Sequence, residues 1–137
     1  MRIAHGRAGK ESELRTDTFS GTVWADPVLG PEDGIVINTV AFEPGGRTYW
    51  HTHEVAQVLH VTHGEGRLQL ADGTGVALRP GDVAHIPAGE IHWHGAAPGS
   101  FMVHLAISVG KTGWMHEVSE AEYGSAFEGP PGSPGDQ

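Results

Sequence analysis

The stretch Gly45-Gly46-Arg47-Thr48-Tyr49-Trp50-His51-Thr52-His53, followed by Gln57 and Gly64, is answered downstream by Gly81, Pro87, Gly89 and the run Ile91-His92-Trp93-His94-Gly95. Alternate residues of a β-strand share a face, so His51 and His53 point inward together if either does. Gln57 lies four residues on and keeps that parity. His92 arrives from a separate strand, and a closed or rolled sheet brings all four side chains to one point. Three imidazoles and a carboxamide oxygen are a donor set for a metal ion.

The same alternation extends outward from this stretch. Strand-like segments span 18–24, 35–42, 47–53, 57–62, 67–71, 75–78, 83–86, 91–94 and 100–108. Turn signals separate them: Pro31-Glu32-Asp33-Gly34, Glu43-Pro44-Gly45-Gly46, Ala71-Asp72-Gly73, Arg79-Pro80-Gly81-Asp82 and Pro87-Ala88-Gly89. Many short strands with no helix between them predict an all-β antiparallel barrel or jelly roll. Ser119 before Glu120-Ala121-Glu122-Tyr123 reads as an N-cap with one or two helical turns, stopped at Gly124. The expected organisation is a flexible segment over 1–15, one domain over 16–128 and a loose Pro/Gly-rich tail over 129–137. At least one of Gly81 and Gly89 is expected at positive φ, which a β-carbon disfavours.

Composition narrows the function classes. The chain has 137 residues, enough for one real core, and its 21 glycines and 9 prolines suit short strands and tight turns. It has no cysteine, which removes disulfides and thiolate ligands. A formal charge of −9, with only Arg47, Arg67, Arg79 and Lys111 as cations beyond residue 15, argues against a nucleic-acid partner. No apolar run is long enough to span a membrane, and the first residues carry no apolar stretch for a secretion signal. A cytoplasmic location is the default expectation.

Parity also sorts the remaining candidates. On the last long strand Phe101, Val103, Leu105 and Ile107 share one face, while Met102, His104, Ala106 and Ser108 share the other. His104 among small and apolar inward residues needs a hydrogen-bond partner. It is either a general base beside the metal or a core histidine held by a carbonyl or by His94. His94 keeps the parity of His92 and is the second catalytic candidate after His104, and Trp93 faces the opposite layer. Asn38 and Val40 share a face with Phe42 and are expected in the substrate pocket. Tyr49 has the parity of His51 and is expected nearer the mouth. His60, with the opposite parity to Gln57, leaves the barrel; His63, His85 and His116 are ordinary histidines.

These residues resemble the cupins. Their first motif reads Gly, five residues, His-x-His, three or four residues, Glu, six residues, Gly; Gly45, His51, His53, Gln57 and Gly64 match it with Gln for Glu. The second reads Gly, five residues, Pro-x-Gly, two residues, His, three residues, Asn; Gly81, Pro87, Gly89 and His92 match, and Ala96 stands at the last position. Two motifs in order are far more specific than one His-x-His. Further resemblance runs from Phe19 to Tyr123, through Thr18-Phe19-Ser20-Gly21-Thr22-Val23, Asp26-Pro27, His92-Trp93-His94-Gly95-Ala96, His104-Leu105-Ala106-Ile107 and Trp114-Met115. It points to the bacterial manganese-dependent hydroxynitrile lyases.

The resemblance implies a cupin jelly-roll barrel, manganese as the metal with iron next, and zinc, cobalt and nickel as alternatives. It also implies a small-molecule substrate, His104 at the active site and a homodimer or larger homo-oligomer. Three imidazoles and a neutral amide leave a divalent cation its full charge, which favours Lewis-acid chemistry over one-electron oxygen chemistry. The reading is a carbon–carbon lyase acting on cyanohydrins. A cupin dioxygenase, an aromatic polyketide cyclase and a non-enzymatic metabolite-binding cupin are the alternatives.

Overall fold

Thirteen strands and one helix form the chain in the computed structural model, which describes residues 1–6 and 9–128; the expected tail lies outside the described residues. The strands are β1 (Glu13–Leu14), β2 (Phe19–Ser20), β3 (Val23–Glu32), β4 (Ile35–Phe42), β5 (Arg47–Thr48), β6 (His51–His53) and β7 (Ala56–Gly64). There follow β8 (Gly66–Leu70), β9 (Gly75–Leu78), β10 (Val83–Pro87), β11 (His92–Ala96), β12 (Met102–Val109), β13 (Thr112–Trp114) and helix α1 (Glu120–Ala126). Every pairing is antiparallel. One sheet runs β1-β3-β4-β12-β7-β10; the other runs β13-β6-β11-β5-β2, with β8 also on β11 and β9 on β8. Because β6 and β7 are consecutive but belong to different sheets, the seven residues from His51 to Gln57 cross from one wall of the barrel to the other.

Two segments depart from the sequence reading. β3 continues through Pro27 and Pro31 to Glu32, past the expected end near Trp24. Beyond Ala25 it has no partner on the β1 side, so a proline without an N–H breaks no ladder there, and register shifts absorb the irregularity. The turn shrinks to Asp33-Gly34, with φ of 57° and 74°, the two positive values of a tight hairpin turn. Within the N-terminal segment expected to be flexible, Glu13–Leu14 pairs with Ala25 and Trp24, setting Leu14 opposite an indole.

The inner face of the first sheet is read directly from its register. Val61, His104, Val40 and Ala25 form one cross-strand row, and Gly64, Met102, Phe42 and Val23 the next. Phe42, Met102, Leu59, Val61, Leu68, Leu78 and Ile86 close this end of the barrel as its main core. Burying such side chains contributes about 1.5–3 kcal/mol each. The motif glycine Gly64 has φ 74°, and a β-carbon there would run into the Phe101 carbonyl, so no other residue fits. Gly81 (φ 94°) and Gly89 (φ 76°) both adopt the conformation expected of at least one of them.

A second cluster, Trp50, Trp93, Val118, Tyr123 and Ala126, lies between the other sheet and α1. The helix starts as expected at Ser119, whose hydroxyl accepts from Glu122 N while the Glu122 carboxylate accepts from Ser119 N. It does not stop at Gly124; it continues to Ala126, because Ala126 and Phe127 pack against the Trp93 cluster. Arg47 is buried beneath it. Its guanidinium donates to the Val118 carbonyl at 3.0 Å and the Gly45 carbonyl at 3.2 Å, meets the Glu120 carboxylate at 3.0 Å, and lies 4.4 Å from the Tyr123 ring centre. The Tyr123 hydroxyl donates to the Ala96 carbonyl at 2.6 Å.

Candidate metal centre and its cavity

His51 and His53 project inward from β6, and His92, opposite His51 in the register, projects from β11. Their candidate ligand nitrogens all lie within 4.8 Å of one another, and all three rings are buried. The His51 Nδ1–H donates to the Tyr49 carbonyl at 2.8 Å, and the His92 Nδ1–H to the Glu90 carbonyl at 2.9 Å. His53 Nδ1 meets Thr112 Oγ1 at 3.3 Å, and its Nε2 is buried with no partner among the described residues. Each ring is thus tied through Nδ1; the carbonyls leave Nε2 of His51 and His92 as lone pairs, and the Thr112 hydroxyl can accept from His53 in the same tautomer, the usual way a protein prepares histidine ligands.

Gln57 completes the set from the opposite sheet. Its Oε1 lies 3.1 Å from His92 Nε2, and its Nε2 donates to Ser108 Oγ at 3.1 Å. Burial, opposed only by the Glu90 hydrogen bond, pushes the His92 pKa down to about 4. His92 is therefore neutral near pH 7, and its single N–H is spent on Glu90. The carbonyl oxygen of Gln57 and the Nε2 lone pair of His92 face each other as two acceptors. A cation between them is what satisfies both. His51 is held well below the usual histidine range by burial and then by His92, and His53 is lowered by burial, so these donors too are uncharged. The residues present fit a divalent ion.

His94 and His104 form a separate pair on the same cavity. His104 Nε2 and His94 Nδ1 are 3.0 Å apart, which joins two roles that parity alone left separate. The outer atoms, His104 Nδ1 and His94 Nε2, are buried without a partner among the described residues. One hydrogen bond between two neutral rings leaves a lone pair at one outer end and an N–H at the other. Burial pushes His104 down to about 4; His94 is held well below its ordinary value by burial and then by His104. Phe42 packs edge-on against both rings, with centroids 5.1 Å from His104 and 6.0 Å from His94.

A cavity of about 710 Å³ connects the two groups of histidines with the outside. Its wall is largely apolar, with Phe19, Ala25, Val36, Val40, Ala106 and Trp114, and Asn38 lies among them. Asn38 and Val40 line this cavity. Tyr49 does not. The chain leaves the strand between Thr48 and His51, which resets the alternation: Thr48 lines the cavity, and Tyr49 supplies its carbonyl to His51 instead. His60, His63, His85 and His116 are exposed. Two contributors were not singled out from sequence, Thr112 and Ser108; Trp114, whose ring centre is 4.7 Å from that of His51, entered only through the resemblance. Thr112-Gly113-Trp114 is too short for periodicity to mark as a strand, although Ser108 shares the inward parity of His104.

A two-sheet antiparallel barrel with a His51-x-His53, Gln57 and His92 constellation defines a cupin. The family match agrees: the cupin domain covers residues 38–110, and the chain belongs to the cupin family. The (R)-mandelonitrile lyase of Granulicella tundricola is 45% identical over 113 residues, 78% of this chain and 86% of that protein. Among solved structures, a cupin-like protein of Thermotoga maritima superposes with a TM-score of 0.80 at 40% identity, covering 85% of this chain and 92% of its own. The polyketide cyclase RemF of Streptomyces resistomycificus gives 0.69 at 26% identity, covering 90% of each chain.

Proposed function

We propose that this protein is a metal-dependent carbon–carbon lyase that parts a cyanohydrin into a carbonyl compound and hydrogen cyanide, or joins them. The observation that carries the reading is the buried, neutral His94–His104 pair beside a set of uncharged metal donors. Likeness to a mandelonitrile lyase across most of both chains supports it. A divalent ion held by His51, His53, Gln57 and His92, manganese by resemblance, would supply Lewis acidity toward the substrate's oxygen or the cyanide.

The chain's own residues supply the proton chemistry. His104 Nδ1, with its Nε2–H given to His94, is free to take the hydroxyl proton of the substrate. As the C–C bond breaks, its electron pair leaves with cyanide and the C–O bond becomes a carbonyl. The proton on His104 Nε2 passes to His94 Nδ1, and the His94 Nε2–H protonates cyanide. Atoms and charge balance, and both rings return neutral with the shared proton on the other nitrogen. Val40, Val36, Phe19 and Trp114 exclude water from the substrate's apolar body, and Asn38 offers it one hydrogen bond. Benzaldehyde release from mandelonitrile by manganese-loaded protein tests the reading; a rate no higher than that of His51→Ala overturns it.

The likeness to RemF favours a second reading, cyclisation of an aromatic polyketide, for which the cavity is also large enough. A dioxygenase would reveal itself by oxygen uptake with phenols, and a binding protein by ligand affinity that survives metal removal. The homo-oligomer expected from the resemblance is a proposal that light scattering decides.

A further inference from the structure

Gln57 differs from the other three donors in having two chemically opposite ends. Its side chain can turn either an oxygen or an NH2 toward His92, and only the oxygen can hold a cation. The imidazoles take their orientation from Tyr49, Glu90 and Thr112. Gln57 has Ser108: β7 and β12 pair in a register that sets the two residues directly opposite each other, and the carboxamide Nε2 donates to Ser108 Oγ at 3.1 Å. Resting on the metal reading above, we propose that Ser108 is a positioning residue of the metal site. By accepting the amide N–H it holds the Gln57 oxygen toward the point the three imidazoles share.

The hydroxyl suits this task because its oxygen accepts the amide N–H while the carboxamide oxygen stays turned to His92. A carboxamide turned the other way would put its N–H on His92 Nε2, in competition with a cation, and would give up the bond it donates to Ser108. With a cation present the oxygen is drawn inward and the N–H is polarised, so the bond that Ser108 accepts is charge-assisted. Such bonds are about twice as strong as neutral ones. Removing the hydroxyl therefore weakens cation binding more than it weakens the metal-free fold.

The test is calorimetric titration of metal-free protein with manganese chloride, alongside melting of the metal-free forms. Ser108→Ala is expected to bind roughly 10-fold to 100-fold more weakly, the usual loss when a ligand's outer hydrogen-bond partner is removed. Its metal-free melting temperature should stay near wild type. Ser108→Thr keeps the hydroxyl and should restore most of the affinity. Equal affinity in Ser108→Ala and wild type overturns the proposal, as does equal weakening in Ser108→Ala and Ser108→Thr. A wild type that takes up neither manganese nor iron, zinc, cobalt or nickel overturns the metal reading, and this proposal with it.

Discussion

Five buried histidines cluster at one cavity, four of them lining it and His92 behind His51, and they divide into two groups that differ in how their rings are tied. His51 and His92 spend Nδ1 on backbone carbonyls, and His53 spends it on Thr112, so their remaining nitrogens converge. His94 and His104 spend a nitrogen on each other, so their remaining nitrogens diverge to the ends of a pair. Residue type, burial and lowered basicity are alike in both groups. Only the first hydrogen bond of each ring separates the two groups, and the ligand and proton-carrier roles proposed above rest on it.

The largest effect should come from removing a converging ring. His51→Ala is expected to lose both the metal and the lyase rate, read by elemental analysis and by benzaldehyde release. A variant that keeps stoichiometric metal would merge the two groups. His104→Ala attacks the diverging pair: metal content should stay near stoichiometric while turnover falls at least about tenfold, the low side for a positioned acid–base group. If it strips the metal, His104 is a ligand and the division fails.

A smaller effect is expected from Gln57→Glu. The carboxylate should hold the ion at least as well, yet it cancels one unit of charge and weakens the pull on an oxyanion or cyanide. Turnover should then fall more than metal content, and equal or higher turnover would reverse the charge argument. The gentlest probe is pH on metal-free protein. Unfolded histidines take up protons near 6.5, whereas His92 and His104 do so in the fold only near 4. Between those values the unfolded state binds more protons, so stability should decline as pH falls through that window. A melting temperature flat from pH 7 to 4.5 would contradict the burial of these rings.

The barrel and the convergence of His51, His53, Gln57 and His92 were legible because both rest on period-two alternation and on turn residues with fixed spacing. Asn38, Val40 and His104 follow from the same rule on uninterrupted strands, and the cavity receives all three. Tyr49 escaped it because two residues outside the strand reset the parity, and nothing in Thr48-Tyr49-Trp50 announces that break. The pairing of His94 with His104 could not be read either: it depends on the distance between β11 and β12, which lie in different sheets. Proline and glycine misplaced the end of β3, where an unpartnered edge tolerates both.

Arg47 has a consequence for how the chain matures. It sits two residues after the first motif glycine, yet its partners Val118 and Glu120 lie more than seventy residues later. During synthesis the strand before the histidines therefore carries an unneutralised guanidinium until nearly all of the barrel has emerged from the ribosome. Closing the barrel earlier would strand that charge in an apolar layer, at a cost of several kcal/mol. The segment after β13 thus completes the surroundings of Arg47 rather than the cavity: a chain cut before Val118 would keep every residue that lines the cavity and leave that guanidinium without its partners.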